Sequence, residues 1–184
     1  MADTQRSLST LQTLLADNIT GNISPQDLRD VLISLQPPFG GLYFSTPAAT
    51  TISNNTDYFK AAGTTTSTSL TKFTMPANNR LTYTGVSPRH IHIACSVSMT
   101  ADDNNQIIEP GIYHWDDSLG SGSVLESSKL QRKISTGADL GSTALHTDVM
   151  MDTNDYLELH IKNTTSGTNG TINLGYLFAM GMII

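Results

Sequence analysis

Apolar positions recur with two different periods along this chain, and the change falls at Pro37-Pro38. Before it, Leu8, Leu11, Leu14 and Leu15 fall at helical spacing, and Leu28, Val31, Leu32 and Leu35 form an i, i+3, i+4, i+7 stripe. The second stripe is punctuated as a helix. Ser24 can cap the free amides, Pro25 suits the first helical position, and Asp27 complements the positive helix end. Residues 16–22 separate the two stripes, and the double proline ends the second, because neither ring can donate to the helix ladder. Two helices this short are marginal alone and need a surface to dock on.

Beyond the prolines the period drops to two. In His90–Met99, Ile91, Ile93, Cys95, Val97 and Met99 alternate with His90, His92, Ala94, Ser96 and Ser98. Leu157, Leu159 and Ile161 mark the inward face of a strand over 155–162. A closing strand over 171–184 puts Ile172, Leu174, Tyr176, Phe178, Met180 and Met182 on one face. Shorter strands are expected at 42–45, 50–53, 72–75, 80–84, 111–115, 124–134 and 144–151. Turn clusters such as Pro76-Ala-Asn-Asn79 and Asp102-Asp-Asn-Asn105 divide them. About ten short strands without intervening helices predict an antiparallel jelly-roll sandwich. The expected organisation is a helical anchoring arm over 1–38 and a mainly β jelly-roll domain over 39–184.

The closing strand departs from the alternation. Its second face reads Gly175, Leu177, Ala179, Gly181, Ile183, where a half-exposed strand would be polar. One sandwich core covers only one face of a sheet, so this strand needs a second cover: a neighbouring subunit is expected, with a local loop or the N-terminal helices as the alternative. Leu177, Ala179 and Ile183 are the expected contact residues.

Composition fits this division. Thr, Ser, Asn and Gly together number 70 of 184 residues, and they supply caps before the break and turns and outer strand faces after it. Only 14% of residues are charged, with 10 Lys+Arg against 16 Asp+Glu, so clustered cations for nucleic-acid phosphates are not expected. No run approaches the roughly 18 apolar residues of a membrane span, and the polar start predicts no secretory signal. One cysteine, Cys95, rules out an internal disulfide framework.

Leu15-Ala-Asp-Asn-Ile-Thr-Gly-Asn-Ile-Ser-Pro-Gln-Asp-Leu-Arg-Asp-Val-Leu-Ile-Ser-Leu35 resembles an N-terminal segment that recurs in tailed-bacteriophage virion proteins. Phe73-Thr-Met-Pro-Ala-Asn-Asn-Arg-Leu-Thr-Tyr-Thr-Gly85, the His90 strand, Asn154-Asp-Tyr-Leu-Glu-Leu159 and the apolar closing strand resemble phage trimeric jelly rolls. Those are similar to the TNF-like fold, whose threefold interface includes the C-terminal strand region. The resemblance implies a homotrimeric virion surface protein, assembled in the host cytoplasm. Its arm would dock on the major capsid protein or another virion protein through Leu8, Leu11, Leu15, Leu28, Val31, Leu32 and Leu35. The resemblance leaves two roles open. One is a head decoration, or cement, protein. The other is a fibre or receptor-binding tip that recognises a host surface glycan or protein.

Candidate chemistry is sparse. His90 and His92 lie about 7 Å apart on one strand face, without a carboxylate or cysteine at matching spacing, so no metal site is expected. Cys95 sits on the inward face as a small hydrophobe. Asp102-Asp103 and Asp116-Asp117 are adjacent pairs in turns, whereas acid–base hydrolysis needs carboxyls held across a cleft. No nucleotide loop or nucleophile elbow is present, and neither an enzyme nor a cofactor is expected. Tyr113 and Trp115 share a strand face. That face either packs in the core or makes an exposed ligand contact, the one candidate for binding a glycan or protein.

Overall fold

The computed structural model describes residues 4–15, 23–136 and 138–182. Two helices come first: α1 (Leu8–Leu14) and α2 (Pro25–Leu35). The second helix is capped as expected, and the first carries a serine cap of its own. Ser7 Oγ accepts from Thr10 N, and Ser24 and Asp27 close a reciprocal capping box ahead of Pro25. Thirteen strands follow. In chain order they are β1 (Phe39–Pro47), β2 (Ala49–Thr50), β3 (Phe59–Lys60), β4 (Gly63–Ser67), β5 (Phe73–Thr74), β6 (Leu81–Tyr83) and β7 (Arg89–Ala101). Then come β8 (Gln106–Asp116), β9 (Ser121–Val124), β10 (Arg132–Ile134), β11 (Gly141–Met151), β12 (Tyr156–Asn163) and β13 (Gly170–Gly181). The strand expected over 124–134 is interrupted by a 3-10 turn at Glu126–Ser128, where Ser128 Oγ accepts from Ile112 N.

All strand pairings are antiparallel. The front sheet runs β11-β7-β13-β1-β4, with β2 on β13. The back sheet runs β10-β8-β12-β6-β5, with β3 on β12 and β9 on β8. This is a two-sheet antiparallel jelly roll with short N-terminal helices. Its core lies between the sheets. Ile91, Ile93, Cys95, Val97 and Met99 from β7 face Leu157, Leu159 and Ile161 from β12 across it, as their alternation predicts. Asn79, in left-handed backbone at φ 52°, stitches the end of the β5–β6 connection to the sheet. Its amide donates to the Ala61 and Leu159 carbonyls, and its carbonyl accepts from Leu159 N.

The closing strand differs from expectation. A register shift between Ile172 and Leu174 marks a bulge at Asn173. Ile172 is therefore in the core, yet Leu174, Tyr176, Phe178, Met180 and Met182 turn away from it. Leu177 and Ala179, expected at a subunit contact, are 1% and 0% exposed and belong to the core. Leu177 sits in register between core residues Leu42 and Cys95. Ile183 lies outside the described residues. The small residues of this row have a packing reason. A Cβ on Gly181 would come within 2.3 Å of Pro38 Cγ, where the arm enters the sandwich.

Candidate functional site

Three surfaces carry the features that a function needs: the arm, the outer front face and the outer back face. On the arm, α2 is turned against its own amphipathicity. Its buried residues are Asp30 and Ser34, while Leu28, Leu32 and Leu35 are exposed, Leu32 at 65%. The segment ahead of α1 causes this. Thr4 N and Arg6 Nε donate to the two Asp30 carboxylate oxygens at 2.9 and 2.6 Å, and Arg6 N donates to Ser34 Oγ at 2.8 Å. The Thr4 amide and then the Gln26 side chain hold the Asp30 carboxyl at about 2, with Arg6 adding to them.

Lys72 Nζ then ties the arm to the sandwich. It donates to the Ser34 and Gln36 carbonyls at 2.7 and 2.6 Å, which satisfies the negative end of α2. Of the seven predicted anchoring residues, Leu11 is buried and Val31 half-buried. Leu8, Leu15, Leu28, Leu32 and Leu35 are exposed. Leu8, Leu11, Leu15, Val31 and Leu35 line an apolar hollow of about 350 Å³ between the two helices.

The outer front face is apolar on its β13 side. Leu174 is 67% exposed, and Tyr43, Tyr176 and Met180 are also exposed, with the Tyr176 and Phe178 rings 6.2 Å apart. A shallow depression of about 610 Å³ lies between Tyr43, Tyr176, Leu174, Ser96 and Ala144. No charged residue occurs in β13, β1 or β4. Three histidines lie on the β7–β11 side. The His92 and His146 rings stack at 5.7 Å, and His90 Nδ1 is 3.7 Å from Asp148.

The outer back face is built differently. Tyr113 and Trp115 do share a face, and the structure turns that face out of the core, half-buried. Trp115 stacks on Tyr156 at 5.7 Å, and Arg80 lies 3.8 Å over the other aromatic partner, Tyr156. Tyr113 stacks on His160 at 4.4 Å. Beneath them the buried Glu158 takes Lys60 and Arg80 at 2.7 Å and His160 at 3.0 Å. Burial alone would raise the Glu158 carboxyl. The hydrogen bonds from His160, Lys60 and Arg80 outweigh it and hold the group at about 2. Glu109 likewise takes Tyr58, Gln131 and Lys162. Sequence reading named Tyr113 and Trp115 but not Tyr156, His160, Glu158 or Arg80. The signal was present, since Tyr156, Glu158, His160 and Lys162 alternate with the inward Leu157, Leu159 and Ile161.

On the opposite side of β8, His114 bonds Asp155 at 3.2 Å. Asp155 also accepts from Asp117 N and Asp152 N, so it acts as a turn organiser. Burial pushes the Cys95 thiol up to about 12, which removes it as a nucleophile at neutral pH. Among the described residues, no three His, Cys, Asp or Glu side chains are placed to hold a metal. No helix among them is long and apolar enough to cross a membrane.

No family model and no curated protein matches this sequence. Among solved structures, the chain is similar to murine APRIL at pH 5.0, with a TM-score of 0.57 and 7% identity over 80% of this chain and 100% of that one. Murine APRIL at pH 8.5 matches with a TM-score of 0.50 and 8% identity over the same shares. At this identity the likeness establishes the TNF-like sandwich and nothing finer.

Proposed function

We propose that this chain is a homotrimeric structural protein of a tailed-bacteriophage virion, a decoration or cement protein on the head surface. Residues 1–38 act as the anchoring arm and 39–184 as the trimerising jelly roll. The observation that carries the reading is the orientation of α2. A helix that buries Asp30 and Ser34 and exposes Leu28, Leu32 and Leu35 offers an apolar side to a partner outside its own chain. The resemblance of the N-terminal run to phage virion proteins supports the major capsid protein or another virion protein as that partner. Copies meet through the β13 side of the outer front face, where no strand carries a charge and Leu174, Tyr176 and Met180 lose their water. A cement acts by bridging shell subunits, so each docked copy adds buried area that must be lost before the shell opens. The protein has no enzymatic role in this reading.

Particles lacking the protein test this. The expected result is loss of resistance to heat and osmotic shock with unchanged adsorption to cells, and a copy number in the hundreds per particle. The second reading, a fibre or receptor-binding tip, is favoured by one observation: Tyr113 and Trp115 lie half-buried on the outer face of the back sheet. It predicts the reverse, with adsorption lost and shell stability kept.

A further inference from the structure

The five histidines divide into two kinds. His114 and His160 each contact a buried carboxylate, Asp155 at 3.2 Å and Glu158 at 3.0 Å, so a proton gained there is compensated on the spot. His92 and His146 instead have each other. Their rings stack at 5.7 Å with 26° between planes, on adjacent strands β7 and β11. His90 is two residues along on the same face, 3.7 Å from Asp148. Asp148 is also the cross-strand partner of His92, and it is the one carboxylate in this set of outward residues. The remaining neighbours are uncharged. Ala94 lies opposite His146, Met150 lies opposite His90, and β13 contributes Met180 beside His92 and Phe178 beside Ala94. Arg89, at the start of β7, has the parity of the inward Ile91 and pairs with buried Met151, so it lies off this outward row.

From this arrangement we infer that the outer front face is an acid-sensitive contact between copies, assembled with His92 and His146 neutral and loosened when they protonate. The inference rests on the trimer reading above. Neutral imidazoles stack as flat, weakly polar rings and continue the apolar strip of Phe178 and Met180. An ordinary imidazole gains its proton near pH 6.5. Protonated, the three rings set three imidazolium groups against one carboxylate on this face. Asp148 is 62% exposed and cannot neutralise all three. A trimer gathers three such sets and removes the water that screens them, so assembly disfavours the protonated forms. Trimer stability is therefore present at neutral pH and lost as pH falls through the histidine range.

The test is sedimentation of the full chain at pH 7.5 and pH 5.0, at equal ionic strength and the same series of concentrations. Near-UV circular dichroism is recorded at both pH values. The expected result is a trimer at pH 7.5, and a dissociation constant raised by about tenfold or more at pH 5.0, with the dichroism unchanged. In the double variant His92→Gln, His146→Gln the dissociation constant should change much less between pH 7.5 and pH 5.0 than in the wild type, whatever its value at pH 7.5. An equal acid loss in that variant overturns the inference, as does a wild-type trimer indifferent to pH. Loss of the dichroism signal at pH 5.0 overturns it too, because unfolding would then explain the dissociation. A monomer already at pH 7.5 overturns the trimer reading and the switch with it, and is distinguished from the other outcomes by the neutral measurement alone.

Discussion

On the outer back face, each buried glutamate has its cations: Glu158 has Lys60 and Arg80, and Glu109 has Lys162. The aromatic rings above them are stacked on one another or under Arg80. On the outer front face, β13, β1 and β4 bring no charge at all, and Leu174, Tyr176 and Met180 stand free. Both faces belong to strands of one sandwich, so the difference lies in what each face is completed by. The back face satisfies its polar groups within the chain and is finished as a water-facing surface. The front face leaves apolar area uncovered, which is the kind of surface the proposed contact between copies requires.

The largest effect that separates the two sides of β13 comes from paired substitutions. Leu177→Asp places an unpaired carboxylate in the core and should cost more than about 4 kcal/mol, leaving little folded protein by circular dichroism. Leu174→Asp, three residues away, should change the thermal midpoint of the monomer little and abolish the trimer by light scattering. If Leu177→Asp remains folded and loses only the trimer, the assignment of the two faces is reversed.

Glu158→Ala breaks the hub of the back face. Lys60 and Arg80 are about a third exposed and can turn to water, so the expected loss is about 1–3 kcal/mol in a denaturant titration, less than for a fully buried pair. The same group gives the back face an acid limit. Its carboxyl is held at about 2 in the folded chain against an ordinary value of 4.5. The stability it contributes is therefore complete above about pH 5 and disappears as pH falls from there toward 2. The Glu158→Ala variant should show a flatter loss of stability over that window, while the front-face variant Leu174→Asp should follow the wild type.

Smaller effects on stability are expected at the arm and at the aromatic pair. Leu32→Ser removes an exposed leucine and should leave the unfolding free energy within about 0.5 kcal/mol, yet particle binding should fall in a pull-down with intact shells. Trp115→Ala removes one ring of a stack and should cost about 1 kcal/mol with adsorption unchanged. A fall in adsorption for that variant would favour the receptor-tip reading.

Much of this was legible from pattern. The strict alternation of β7 places Ile91, Ile93, Cys95, Val97 and Met99 correctly, because polar and apolar residues there separate cleanly by face. The Ser24-Pro25-Asp27 cap is local chemistry and reads directly. What pattern could not resolve is orientation where both faces look alike. On β13 each face is apolar or small, and the bulge at Asn173 moves the strand by one residue, so Leu177 and Ala179 went to the wrong side. On α2 the stripe is plain, but the direction it faces is set by Thr4 and Arg6 bonding Asp30 and Ser34 across more than twenty residues. For Tyr113 and Trp115 the shared face was readable, and its outward direction followed only from the pairing of β8 with β12.

The central claim is that the uncovered front face is where copies of this chain meet. Its most direct test is the solution mass of the full chain at neutral pH, by sedimentation or light scattering. The account predicts a mass near three times 19.8 kDa, falling to a single folded copy in Leu174→Asp. A wild-type chain that remains one folded copy at high concentration, with its front face in water, would contradict it.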